Sequence, residues 1–323
     1  MAKITFDNNT YECNSSETIL ECLTRHGVAY PHSCQSGVCQ SCLSRCTQGE
    51  LNSDSQQGLK PTQVAQKYFL ACLCKPEADM DIVLPGANAN DVITTKVVEK
   101  ALLNNDIIKL SLECPKDYQY FPGQFLNLHK NNVLIRSYSI ASLPQLNEPI
   151  ELHIRKLQNG RVSTWVHDTL AVGDEVAISE AKGDCFYTDE QPDKNLLLIG
   201  TGSGLAPLYA IARDALNKGH QGTIKLYHGS QSANGLYLID ELTRLAEENE
   251  NFLYTGCVSR DTDDSQFQHG RANEIALKEN PDLKDWRVYL CGHPDMVSQS
   301  KKQVFLAGAS FSDIYADPFL ISS

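Results

Sequence analysis

The 323-residue sequence has no apolar run approaching the ~20 residues that a membrane-spanning helix needs. Its start, MAKITFDNNTYEC, lacks the apolar h-region of a secretory signal, so a cytoplasmic location is expected. Basic residues are in deficit: 28 Lys and Arg stand against 40 Asp and Glu, a net charge of −12. Such a surface repels phosphate backbones and anionic lipids, which argues against nucleic-acid and membrane-surface binding. Internal repeats and long low-complexity tracts are absent too, and only LNSDSQQGLKPTQ reads as a polar loop. What remains, 41% hydrophobic and 21% charged residues, is the balance of a globular protein, and the length suits two or three domains.

Cysteine is in excess. Twelve occur in a chain without an export signal, and eight of them precede residue 75. Reducing compartments discourage structural disulfides, so the cluster points to a metal or redox module. Cys34-x4-Cys39-x2-Cys42, followed after 29 intervening residues by Cys72, is the spacing of plant-type 2Fe–2S ligands. Ser36, Gly37 and Ser41 are small enough for a loop to close on a cluster. Four cysteines also suit zinc, but zinc knuckles pair their ligands as two C-x2–4-C units, which this is not. Cys13, Cys22, Cys46, Cys114, Cys185 and Cys257 read as buried small hydrophobes rather than ligands.

The chain reads as three segments. Leu84-Pro85-Gly86-Ala87-Asn88-Ala89-Asn90-Asp91 is small, polar and linker-like. Before it, strands are expected at Lys3–Phe6 and Thr10–Cys13, then a helix capped by Ser15 or Ser16 and stopped by Gly27. From Val92 to Gln191 short strands dominate, at Val92–Glu99, Ile107–Leu112, Phe125–His129, Ser137–Ala141, Ile150–Arg155 and Glu175–Ser179, with one helix at Ser163–Leu170. That density suggests an antiparallel barrel or sandwich. From Lys194 strands alternate with helices near Ala206–Leu216, Leu238–Glu248, Ala272–Lys278 and Met296–Leu306, the pattern of a parallel sheet covered on both faces.

Two further motifs carry chemistry. Arg136-Ser137-Tyr138-Ser139-Ile140-Ala141-Ser142 supplies a cation for a pyrophosphate, a ring for stacking and a hydroxyl for a flavin edge, and Gly160-Arg161-Val162-Ser163-Thr164 opens a helix whose free N–H groups suit phosphate. The run Leu196–Pro207, LLLIGTGSGLAP, is a buried strand entering a Gly-rich turn and a helix, which suits a second pyrophosphate although it is not the G-x-G-x-x-G spacing.

On these motifs the chain resembles a known family throughout its length. CQSGVCQSC and Leu70-Ala71-Cys72-Leu73-Cys74-Lys75-Pro76 are similar to plant-type ferredoxins, with Cys72 in the place of the fourth ligand and Cys74 unassigned. R-x-Y-S-x-x-S, G-T-G-x-G-x-A-P and Cys291-Gly292-His293-Pro294-Asp295-Met296 are similar to the ferredoxin–NAD(P)H reductase superfamily, and Ile314–Phe319 resembles its I-x-x-E-x-F ending with Asp317 for Glu. The whole resembles the NADH-dependent reductase components of bacterial multicomponent oxygenases. The resemblance implies a multidomain α+β and α/β fold: a β-grasp ferredoxin domain (1–88), an antiparallel β-barrel flavin domain (92–191) and a parallel α/β NAD-binding domain (194–323).

It implies a 2Fe–2S cluster on Cys34, Cys39, Cys42 and Cys72. FAD is expected against Arg136, Ser137, Tyr138, Ser139, His153, Ile154, Arg155, Gly160, Val162 and Ser163, with Phe319 near it. NADH is expected against Thr201, Gly202, Ser203, Gly204, Pro207, Cys291 and Gly292, with Ser139 and Cys291 at the reacting centre. A 2′-phosphate wants Arg or Lys after the second strand of the last segment; His228-Gly229-Ser230-Gln231-Ser232 has neither, which favours NADH, while Arg260 lies within reach of that end. A nicotinamide gives two electrons at once and a 2Fe–2S cluster takes one, so the flavin belongs between them. The histidines form neither a Rieske C-x-H pair nor an E-x-x-H helix motif, so oxygen chemistry is assigned to a partner protein: an oxygenase component or an intermediate ferredoxin. The alternatives are a flavin or ferric reductase with a small free acceptor and a reductase serving a reductive dehydratase. Residues 1–90 carry net charge −3, an acidic surface that could steer a basic partner.

Overall fold

The computed structural model describes residues 1–87, 92–131, 133–260 and 266–319. The chain divides into two compact units, Met1–Ala89 and Asn90–Ser323. Residues 88–91 of the expected linker lie outside the described residues.

The first unit opens with the hairpin of β1 (Lys3–Phe6) and β2 (Asn9–Glu12), whose turn residues Asp7 and Asn8 both take positive φ, as a two-residue hairpin turn requires. α1 (Ile19–Arg25) begins later than Ser15 and Ser16 suggested. Thr18 is its cap: the Glu21 N–H donates to Thr18 Oγ1 at 3.2 Å, and the Thr18 N–H donates to the Glu21 carboxylate at 2.8 Å. This reciprocal box satisfies two backbone donors at once, which neither serine could do without an acid three residues on.

Cys13 and Cys22 are buried as expected, but they are joined in a disulfide between the end of β2 and α1. β3 (Leu43–Gln48), α2 (Pro61–Ala65), β4 (Tyr68–Leu70) and β5 (Met80–Val83) complete the unit. The stretch read as a polar loop is thus partly ordered: Asn52 caps a 3-10 turn over Ser53–Gln56, and Pro61 occupies the first turn of α2, where its missing N–H costs nothing. The sheet order is β2-β1-β5-β3-β4, with β1 and β5 parallel, and Ile19, Leu20 and Leu23 of α1 pack in one core with Ile4, Phe69 and Ile82. This is a β-grasp arrangement.

The second unit begins with β6 (Val92–Leu102), β7 (Ile107–Leu112), β8 (Phe125–His129), β9 (Ile135–Ser139), β10 (Ile150–Arg155), α3 (Arg161–Asp168) and β11 (Glu175–Ser179). The order β10-β7-β6-β11-β8-β9 is antiparallel throughout, and a bridge between Ile140 and Leu152 brings the two edges together as a barrel. Leu110, Leu126, Ile140, Leu152 and Ile154 fill it.

The chain then alternates through β12 (Leu196–Thr201), α4 (Leu205–Asn217), β13 (Ile224–Ser230), α5 (Ile239–Glu248), β14 (Phe252–Val258), β15 (Gln268–His269), α6 (Ala272–Glu279), β16 (Arg287–Gly292), α7 (Pro294–Leu306) and β17 (Ile314–Pro318). All pairs are parallel, in the order β15-β14-β13-β12-β16-β17. Leu196 and Leu198 face a core shared with α4 and α5, while Leu197 and Ile199 face one shared with α6 and α7. The order reverses between β12 and β16, the switch point at whose carboxyl ends such sheets bind ligands. Barrel and parallel sheet meet through Gln145 donating to Asp214 at 2.6 Å and the Arg213–Glu148 ion pair, while Phe121 stacks at 4.3 Å on Phe186 of the segment that joins them.

Thr18→Ala removes one half of the cap box. Urea unfolding of the first unit is expected to show a loss of about 1 kcal/mol, and an unchanged midpoint would count against the cap as the start of α1.

Candidate functional site

The loop between α1 and β3 carries Cys34, Cys39 and Cys42, and the turn after β4 carries Cys72. Its winding uses positive φ at Gln35, Gly37 and Gln40. Gly37 also packs closely on Leu73, whose Cδ1 would lie 2.6 Å from a Cβ there and would have to turn away. The sulfurs fall into two neighbouring pairs. The Cys39 N–H donates to Cys34 Sγ at 3.3 Å and the Cys34 N–H to Cys39 Sγ at 3.4 Å, while the Ser36 N–H adds a third bond at 3.4 Å to Cys34. The Ser36 hydroxyl and these amides bring the Cys34 thiol down to about 6. Cys42 and Cys72 make the inner pair: burial and the Cys42 thiol push Cys72 up to about 11, opposed by the Gly37 N–H aimed at its sulfur.

Amides directed at sulfur and a two-and-two pairing of thiols fit a dinuclear cluster with two thiolates per iron. Among the described residues, no three His, Cys, Asp or Glu side chains converge on a single-ion site. Cys74 stands apart in the core, where burial pushes its thiol up to about 12.

In the second unit a cavity of about 1190 Å³ runs between the barrel and the parallel sheet. Its barrel wall comprises Arg136, Ser137, Tyr138 and Ser139 of β9, His153 and Arg155 of β10, and Gly160, Val162 and Ser163 at the start of α3. Its other wall includes Thr201, Gly202, Ser203, Gly292 and Phe319. The starts of α3 and α4 and five arginines (Arg136, Arg155, Arg161, Arg260 and Arg271) border one space, a donor set suited to two pyrophosphates. A Cβ on Gly202 would meet only Arg155 Nη1, at 3.5 Å, so that turn is open toward the cavity.

Four of the residues expected around the cofactors do not line this space. Ile154 points into the barrel core; Gly204, Pro207 and Cys291 are buried behind the wall. Gly204 is nonetheless demanding: a Cβ there would collide with the Cys291 carbonyl. Gly292, at φ +121°, lies so close to Thr201 that a Cβ would sit 2.6 Å from its hydroxyl, and Thr201 Oγ1 accepts the His293 N–H at 3.1 Å. The loops after β12 and β16 thus interlock. Cys291 Sγ lies 3.6 Å from Cys185 Sγ, and complete burial followed by the Cys185 thiol drives it well above the ordinary thiol range.

Ser139 Oγ donates to Asp317 Oδ2 at 3.1 Å across the cavity, and burial raises the Asp317 carboxyl against the lowering effect of that hydrogen bond. The Phe319 N–H donates to the Gly292 carbonyl at 2.8 Å, which sets the chain's last described residue against the wall.

At the far end, Ser230, Gln231, Ser232 and Arg260 share the wall with Arg271 and Asn234. Arg271 follows Gly270 in a stretch with no motif, and only the parallel sheet brings it beside Arg260.

Comparison with known proteins agrees with this geometry. Residues 4–77 match the 2Fe–2S iron–sulfur cluster binding domain, 94–187 the oxidoreductase FAD-binding domain and 198–302 the oxidoreductase NAD-binding domain. The chain is 30% identical to the ferredoxin–NAD(P)+ reductase component of the naphthalene 1,2-dioxygenase system of Pseudomonas putida, covering 97% of this chain and 96% of that one. It is 31% identical to the reductase subunit of an aromatic O-demethylase from an Amycolatopsis strain, over 90% of each. Among solved structures, the Amycolatopsis cytochrome P450 reductase GcoB superposes with a TM-score of 0.69 at 28% identity, over 99% of both chains.

Fold and site define an iron–sulfur flavoprotein oxidoreductase. The chain belongs to the family of ferredoxin–NAD(P)+ reductase components in which a 2Fe–2S domain, an FAD-binding domain and an NAD-binding domain share one polypeptide. It passes electrons from a nicotinamide dinucleotide through FAD and a 2Fe–2S cluster to a protein acceptor. No helix among the described residues is long and apolar enough to cross a membrane.

Gly204→Ala forces the interlocked loops apart. It is expected to lower the thermal stability of the second unit by about 1–3 kcal/mol and to weaken NAD+ binding. Unaltered unfolding and affinity together would contradict the close approach.

Proposed function

We propose that this protein draws electrons from NADH and delivers them to the terminal component of a cytoplasmic oxygenase, or to a ferredoxin that serves one. The observation that carries this reading is the pairing, in one chain, of an outward-facing thiol loop with a separate dinucleotide cavity. Cys34 and Cys39 are exposed, so the loop offers a large acceptor a way in that a small free acceptor does not need. The names of the relatives support the acceptor class, since they include reductase components of naphthalene dioxygenase and propane monooxygenase systems. The net charge of −12 supports the exclusion of nucleic acid as a partner. We assign the ferredoxin domain to residues 1–88, the flavin domain to 92–191 and the NAD domain to 194–323.

FAD, when bound, takes up a hydride as an electron pair and releases electrons singly, which is the chemistry required between a nicotinamide and a one-electron cluster. The residues divide the remaining work. Arg136 and the N–H groups opening α3 neutralise the flavin pyrophosphate, while Tyr138 supplies the ring beside it. Thr201, Gly202 and Ser203 present the amides of the β12–α4 turn to the dinucleotide pyrophosphate. Ser139 and Asp317 face the inner end, with a proton held between Oγ and Oδ2. Cys291 acts from behind the wall by fixing the interlock with Gly204, and Phe319 covers the edge opened by Gly292. Cys34, Cys39, Cys42 and Cys72 hold the cluster. Neutral Ser230, Gln231 and Ser232 favour NADH, and Arg271 is drawn toward Glu274, 3.9 Å away, on its own helix.

Anaerobic NADH titration of the purified protein tests this directly. Flavin absorption near ~450 nm and the broad iron–sulfur absorption are expected to bleach together at ~1.5 NADH per chain, two electrons on the flavin and one on the cluster. NADPH is expected to reduce the protein more slowly at equal concentration. Cys72→Ser is expected to abolish the iron–sulfur absorption and to leave flavin bleaching, whereas Cys74→Ser keeps both. Bleaching of the flavin alone in the unaltered protein would favour the small-acceptor reductase instead.

A further inference from the structure

Strand β10 shows its even residues, Leu152 and Ile154, to the barrel core. Its odd residues face the nucleotide half of the unit. His153 is buried there, with Nε2 2.7 Å from Glu151 Oε1 and Nδ1 3.1 Å from Tyr237 Oη, while Tyr209 of α4 lies at 6.5 Å between ring centres. Tyr237 precedes α5. Its phenol is buried, and desolvation followed by Glu151 pushes it well above the ordinary phenol range, so it keeps its O–H. The Glu151 carboxylate can only accept, so His153 Nε2–H donates to it, and in that tautomer Nδ1 accepts from the Tyr237 O–H. Burial works to raise that carboxyl and is outweighed by the His153 hydrogen bond and by the charges of Lys109 and Arg213, so Glu151 stays an acceptor.

The Tyr237 ring stands edge-on to two histidines, His153 at 5.3 Å and His228 at 5.4 Å. His228, at the end of β13, donates from Nε2 to the Gly202 carbonyl at 3.2 Å, while its buried Nδ1 has no partner among the described residues. Gly202 is the turn residue, at φ +55°, that opens the loop at the head of α4 toward the cavity. One buried chain of contacts thus runs from the backbone of the dinucleotide loop, through His228 and Tyr237, to His153 on the flavin-side wall. Nothing in the three sequence motifs includes Tyr237 or His228 in this role.

We propose that His153, held in one tautomer by Glu151 and Tyr237, is a positioning residue that sets the dinucleotide loop against the flavin wall and so fixes the distance over which the hydride moves. This rests on the reading of the cavity given above. Side chains on different elements could hold the two halves together equally well if adhesion were all that mattered. A directional pair of hydrogen bonds to one ring does more, because it fixes orientation as well as contact. The hydride transfer itself is unchanged in kind: the nicotinamide loses a hydride and the flavin gains it.

Tyr237→Phe, which keeps the ring and removes only the donor, and His153→Ala are compared with the unaltered full-length protein. Both variants are expected to retain FAD at full stoichiometry and to bind NAD+ within about threefold of the original affinity. Flavin reduction measured by stopped flow is expected to fall about tenfold to a hundredfold, the scale of a misplacement of roughly 1 Å. The long-wavelength charge-transfer absorbance of stacked nicotinamide and flavin is expected to fade in parallel. In the flavin-free protein, ¹⁵N NMR of His153 is expected to report the Nε2–H tautomer, and Tyr237→Phe to lose that preference. Unchanged reduction and charge-transfer absorbance in both variants would overturn the proposal. So would loss of FAD together with loss of reduction in Tyr237→Phe, which would mark a merely structural role. Failure of the unaltered protein to be reduced by NADH at all would instead refute the functional reading on which the proposal rests.

Discussion

A β-strand turns successive side chains to opposite faces, and β10 is buried on both. Leu152 and Ile154 belong to the barrel, while Glu151 and His153 lie under the nucleotide half and Arg155 borders the cavity between them. One six-residue segment therefore belongs to two halves at once, and a one-residue slip in its pairing with β7 would exchange the two sets. The cavity exists because the barrel and the parallel sheet share this wall without merging. The interlock of Gly204 with Cys291 and of Gly292 with Thr201 closes the opposite side.

What the sequence made legible is what local chemistry demands. Cys34, Cys39 and Cys42 lie within nine residues because a cluster-wrapping loop has to be short, and the Gly-rich turn after β12 follows directly on its strand. Such features survive reading one residue after another. The cap at Thr18 was misplaced to Ser15 or Ser16 because any nearby hydroxyl can cap, and only the acid three residues on, Glu21, decides which one does. α2 was hidden in a polar stretch because its stability comes from the Pro61 start and packing beneath β4, not from an apolar stripe of its own. The Cys13–Cys22 bond, the placing of Arg260 and Arg271 at one end of the cavity, and the Glu151–His153–Tyr237 chain all bring together residues whose proximity is a property of the fold.

The first unit separates two electrostatic tasks. Residues 30–44, which carry three of the cluster cysteines, include no Lys, Arg, Asp or Glu. The carboxylates behind its net charge of −3 lie elsewhere in its sequence, from Asp7 to Asp81. Charges of that kind act over a Debye length of about 8 Å in physiological salt, enough to orient an approaching basic surface. On the proposed function they would not have to be desolvated by an acceptor meeting the cluster loop, where Val38 is 81% exposed and the neighbouring side chains are serine and glutamine. Burying an ion costs several kcal/mol unless it is paired well, and an electron-transfer contact has to form and release quickly. The loop adds no charged side chain to the thiolates that would hold the cluster, so the charge met at that loop is that of the thiolates and the cluster alone.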